Sequence, residues 1–116
     1  MHEFGLMQSV LDTVEASARA AGAERVCEVR LVIGAMREVV PDAMEFAFEA
    51  LAPKTLCDGA TLTMRMLAPR SRCTQCGYEF EHDRFHRSCP ACDSLVCELV
   101  AGKEMYIDAI EVDLPA

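Results

Sequence analysis

Four cysteines stand in two pairs, Cys73-Thr74-Gln75-Cys76 and Cys89-Pro90-Ala91-Cys92, with twelve residues between the pairs. A Cys-x2-Cys pair can aim both sulfurs at one centre across a tight turn. Two such turns face to face supply four thiolates at tetrahedral angles, the ligand set of a closed Zn²⁺ site. Gly77 follows the first pair, where the turn needs a residue that accepts positive φ, and Pro90 pre-sets the turn of the second. The same four sulfurs also suit iron in a rubredoxin-like site. One pair alone would read as a redox couple, a reading that the second pair disfavours. A site filled by four protein ligands has no open position for water or substrate, so its expected work is structural. It would tie down a segment of about 25 residues, too short to bury a core of its own. His82 and His86 lie between the pairs and are expected to be surface loop histidines.

A second donor set opens the chain. In Met1-His2-Glu3, the α-amine, the His2 backbone nitrogen and the His2 imidazole can close adjoining five- and six-membered chelate rings on one cation. The Glu3 backbone nitrogen or carboxylate could complete the plane. Square-planar nitrogen donors favour Ni²⁺ or Cu²⁺ over Zn²⁺, and acid should release the metal because the ligands must be deprotonated. The bland readings are a solvated terminal histidine and a Glu3 that complements a helix dipole.

These donors need elements to position them. Residues 4–21 read as a helix, with Met7, Val10, Leu11, Val14 and Ala18 on one stripe and Gly22 at its end. Residues 25–33 alternate, with Cys27, Val29, Leu31 and Ile33 on one face. Pro41 opens a second helix that buries Val40, Met44, Ala47, Phe48 and Leu51, and Pro53 ends it. Leu62, Met64 and Met66 mark a second strand that Pro69 closes. A third strand spans about 104–113, with a phase change near Asp108-Ala109 that suggests a bulge. The order predicts an α+β fold: two helices on a three-stranded, mainly antiparallel sheet, with an inserted four-cysteine zinc-ribbon-like domain. The expected boundaries are 1–68 and 98–116 for the α+β domain and 69–97 for the insert.

Composition narrows the function classes. Within residues 69–97, Arg70, Arg72, Arg84 and Arg87 balance Glu79, Glu81, Asp83 and Asp93, so the net charge of -8 falls on the rest of the chain. An acidic surface disfavours nucleic acid. No apolar run is long enough for a membrane span, and the start does not read as a signal peptide. A cytoplasmic, reducing compartment with metal-bound thiolates is therefore expected. Cys27, Cys57 and Cys97 are left over; Cys27 fits a strand's core face, and the other two have no assigned role. No nucleophile or acid–base motif is recognisable, so the chain does not read as an enzyme.

Taken together, the pieces resemble one family. Met1-His2-Glu3 precedes an amphipathic helix and Leu31-Val32-Ile33-Gly34. Then come the run from Val39-Val40-Pro41-Asp42 to Glu49-Ala50-Leu51, the two cysteine pairs, and Gly102-Lys103-Glu104-Met105. The sequence is similar over essentially its whole length to the HypA/HybF family. Phe4-Gly5 stand where that family commonly has Leu-Ser. The resemblance implies a nickel metallochaperone for the maturation of [NiFe] hydrogenase, and in some bacteria of urease. It implies Ni²⁺ on His2 with the Met1 amine and Glu3, and structural zinc on Cys73, Cys76, Cys89 and Cys92. It also implies a GTPase partner of the HypB type and delivery to the hydrogenase large subunit. A monomer or weak homodimer is expected. The alternatives are a rubredoxin-like electron carrier and a zinc-ribbon adaptor without nickel.

Overall fold

Helix α1 runs His2–Ala20, and its whole predicted stripe of Met7, Val10, Leu11, Val14 and Ala18 is buried. The computed structural model describes residues 2–83 and 85–116. The helix begins earlier than its apolar stripe predicts, so His2 and Glu3 form its first turn rather than preceding it. Glu3 has a reason to be helical. It sits at the positive end of the helix dipole, and its carboxylate accepts the Val40 N–H at 3.4 Å.

Strand β1 (Arg25–Gly34) is the centre of a three-stranded sheet ordered β2-β1-β6, with β2 at Thr61–Leu67 and β6 at Met105–Asp113. Helix α2 (Pro41–Leu51) has Pro41 in its first turn and packs against α1. Its chain then tightens into a 3-10 turn over Ala52–Lys54. A second three-stranded sheet, ordered β4-β3-β5, belongs to the cysteine segment: β3 is Arg70–Cys73, β4 is Glu79–Glu81 and β5 is Cys97–Ala101. Both pairings of β3 are antiparallel. The α+β fold with a four-cysteine insert is thus observed, and the insert carries a sheet of its own.

The chain divides into two units. The first comprises Met1–Leu31, Val39–Arg65 and Ile107–Ala116. Its core joins the α1 stripe, Val26, Val29 and Leu31 of β1, Met44, Ala47 and Phe48 of α2, and Cys57. Thr13, Val14 and Ser17 of α1 face Ile107, Ala109 and Ile110 of β6 across a shallow groove. Three predicted placements shift. Val40 is exposed while Val39 is buried, because Val40 caps α2 with extended backbone and its side chain points off the helix stripe. At the other end of that stripe Leu51 is half-buried. Cys27 is only half-buried and Val26 is fully covered; the Val26 N–H bonds Leu56 O at 2.8 Å, off the strand ladder.

The second unit comprises Val32–Glu38 and Met66–Tyr106. The alternation that marks β2 changes phase at its end: Met66 is exposed and Leu67 is half-buried. Gly34 and Gly102 meet backbone to backbone. A Cβ on Gly34 would lie 2.1 Å from the Gly102 carbonyl oxygen, so no side chain fits. The approach allows Gly34 N–H to reach Glu104 O at 2.6 Å and Met36 N–H to reach Gly102 O at 2.8 Å.

Candidate metal centre

The two knuckles are built alike. In the first, Gly77 N–H donates to Cys73 O at 2.9 Å and Cys73 N–H donates to Tyr78 O at 2.9 Å. In the second, Asp93 N–H donates to Cys89 O at 2.7 Å and Cys89 N–H donates to Ser94 O at 2.9 Å. Each knuckle therefore closes on the fourth and fifth residues after its first cysteine. The fourth residue must be left-handed: Gly77 has φ 80° and Asp93 has φ 61°. Gly77 was legible in the sequence as such a residue. Asp93 was not, although Asp is among the few side chains that tolerate this region.

This arrangement brings all four sulfurs together. The Sγ atoms of Cys73, Cys76, Cys89 and Cys92 lie within 4.8 Å of one another. Cys73 Sγ is 3.5 Å from Cys92 Sγ, and Cys76 Sγ is 3.6 Å from Cys89 Sγ. Tetrahedral thiolates at about 2.3 Å from Zn²⁺ are about 3.8 Å apart. These two edges are close to that spacing, and none of the cysteines is in a disulfide. Cys73 and Cys89 are buried with Phe80, while Cys76 and Cys92 are exposed.

The thiols differ in acidity. The Cys76 N–H, opposed by burial and aided by the Gln75 N–H, brings Cys73 down to about 6; the Gln75 bond is 3.3 Å. At Cys92 the Ser94 N–H pulls down, but hydrogen bonding with Cys73, burial and the other two sulfurs outweigh it and push the thiol up to about 12. Four adjacent sulfurs cannot all be ionised at neutral pH without a cation among them.

The remaining predicted residues lie elsewhere. His82 is half-buried rather than on the surface. Its Nε2 is 2.7 Å from Ser71 Oγ, its ring packs on Phe80, and Ser71 is the one buried polar side chain among the described residues. His86 is exposed as expected, with Nδ1 2.6 Å from the Asp83 carboxylate. That bond, with the Phe85 and His86 N–H groups, brings the Asp83 carboxyl down to about 2. At the start of α1, the His2 side chain is 60% exposed, and its Nδ1 is 4.0 Å from the Glu3 carboxylate. Met1 lies outside the described residues.

Fold and site together define a small helix-and-sheet protein with a four-sulfur ribbon shaped to hold a cation. Among the described residues, no helix is long and apolar enough to cross a membrane. The chain belongs to the HypA family: the family described as "Hydrogenase/urease nickel incorporation, metallochaperone, hypA" matches residues 1–112. That family consists of metallochaperones for hydrogenase maturation, not enzymes. The hydrogenase maturation factor HypA of Geobacter metallireducens is 42% identical over 113 residues, covering 97% of this chain and 100% of that one. That of Chlorobium luteolum is 39% identical and covers 97% of both. The solution structure of the Ni metallochaperone HypA from Helicobacter pylori superimposes with a TM-score of 0.70 at 22% identity, over 97% of this chain and 98% of that one. At that identity the likeness speaks for the fold.

Proposed function

We propose that this chain carries Ni²⁺ at its amino terminus and hands it over during [NiFe] hydrogenase maturation, while zinc on the four cysteines keeps the ribbon folded. Membership of a nickel-incorporation family over residues 1–112 carries the reading. The donors are the His2 imidazole and backbone nitrogen, the Met1 amine and Glu3. Helix α1 starts at His2, and the first N–H groups of a helix have no acceptor within it. The His2 amide can therefore give up its proton to a metal without breaking the helix. The positive end of the helix dipole opposes a cation there by about 0.3–1 kcal/mol, which suits a cargo meant to leave. Glu3 already holds the Val40 N–H, so it serves the site first as an anchor for the turn.

Residues 1–68 and 98–116 carry the nickel end in this reading, and residues 69–97 the zinc ribbon. A HypB-type GTPase is the partner and the hydrogenase large subunit the recipient, in the cytoplasm, from a monomer or weak homodimer. Urease is a second recipient, supported by the words of the family description. The test is His2→Ala beside a chain extended before Met1, each titrated with Ni²⁺ and assayed for zinc. Both should lose nickel binding and keep zinc. A variant that binds nickel as the parent does overturns the ligand set.

A further inference from the structure

The ribbon brings a fifth sulfur to the four. Cys97 opens β5 and lies directly opposite Cys73 in the antiparallel β3–β5 ladder. The neighbouring bonds show which kind of pair this is. Thr74 N–H donates to Val96 O at 3.0 Å, whereas Cys73 N–H turns away to Tyr78 O. Cys73 and Cys97 are therefore a non-hydrogen-bonded cross-strand pair. Such pairs have Cα atoms about 4.5 Å apart and side chains close together on one face. Cys97 is half-buried and packs against the cluster of Cys73, Phe80 and Cys89. Its own contact, Sγ to Ser94 O at 3.7 Å, is long and weak.

We propose that Cys97 is a reserve metal ligand, able to take the coordination position of Cys73 when that sulfur is absent or detached. The proposal rests on the four-thiolate reading of the ribbon. Two identical side chains rooted opposite each other on one face can place sulfur at nearly the same point by a change of rotamer and a small strand shift. Thiolate replaces thiolate, so the charge and softness of the donor set are kept. A valine or alanine would fill the same packing without offering a donor. Cys27 and Cys57 belong to the first unit and cannot serve in this ladder.

The test uses full-length chain loaded with Co²⁺ in place of zinc, reading metal per chain and the sulfur-to-cobalt charge-transfer absorption. Wild type and Cys97→Ser should both show a four-sulfur site. Cys73→Ser should bind one Co²⁺ with wild-type intensity. Cys73→Ser/Cys97→Ser should lose at least about a quarter of that intensity, one sulfur in four, or the metal altogether. Cys92→Ser, which has no cysteine opposite it, should behave like the double variant. If Cys73→Ser matches the double variant, or binds no metal, the reserve role is wrong. A drop in Cys97→Ser alone would also overturn it, because Cys97 would then be a resident ligand. A wild type without a four-sulfur spectrum sinks the underlying site as well.

Discussion

Gly77 ends the first knuckle at φ 80° with nothing within 4 Å of the place a Cβ would occupy. Space is therefore no obstacle to Gly77→Ala; backbone conformation is. We expect that substitution to cost the ribbon about 1–2 kcal/mol, read as easier metal loss to a competing chelator. Asp83 makes a second prediction at this scale. Its carboxyl falls from an ordinary 3.8 to about 2, first through His86 and then through the Phe85 and His86 N–H groups. A depressed carboxyl stabilises the folded turn fully above its ordinary value and loses that contribution as pH falls toward 2. The amide resonances of Phe85 and His86 should shift across that acid window, and Asp83→Ala should remove the shift. The clustering of the four cysteines was legible because two Cys-x2-Cys pairs announce it in local spacing. The Ser71–His82 bond was not, because it depends on β3 and β4 lying side by side, which no spacing shows. Cys97 was left without a role for the same reason: its neighbour lies across a ladder.

At the scale of elements, the contact of Gly34 with Gly102 fixes the end of β1 against the chain leaving the ribbon. Gly34→Ala would force the two backbones apart and strain both bonds there, Gly34 N–H to Glu104 O and Met36 N–H to Gly102 O. At about 1 kcal/mol per hydrogen bond, the loss should be about 2 kcal/mol, seen as a lower urea midpoint. Both helices were legible because a 3.6-residue stripe repeats over three or more turns, and all five residues of the α1 stripe are buried. The ends were less so. Val40 reads as the first residue of a stripe, yet capping geometry turns it outward. Strands β3, β4 and β5 are short, three to five residues each. Their exposed positions are largely charged, so their apolar alternation is too brief to stand out. In the proposed reading, metal ligation rather than apolar burial holds such strands.

Across the whole molecule, helix and ribbon draw on different sources of stability. Both α-helices lie in the first unit, which has its own apolar core. The buried cluster at the cysteines is small: Cys73, Phe80 and Cys89, with Cys97 against it. Stripping the metal should therefore abolish amide protection in the ribbon sheet while the helical circular dichroism persists. Reloading at neutral pH should release protons, since at least the Cys92 thiol, at about 12, must ionise. Affinity should accordingly fall as pH falls. The acidic balance of the chain was legible by counting; its division into units was not, because chain segments 32–38 and 66–106 join through contacts distant in sequence. One detail of the cage bears on how it comes apart. Its two halves share a hydrogen-bond scheme, but one pivots on glycine and the other on aspartate, a residue that enters that conformation at a cost. The aspartate half is thus the costlier turn to hold, so in metal-free protein the Asp93 N–H to Cys89 O bond should open before the Gly77 N–H to Cys73 O bond.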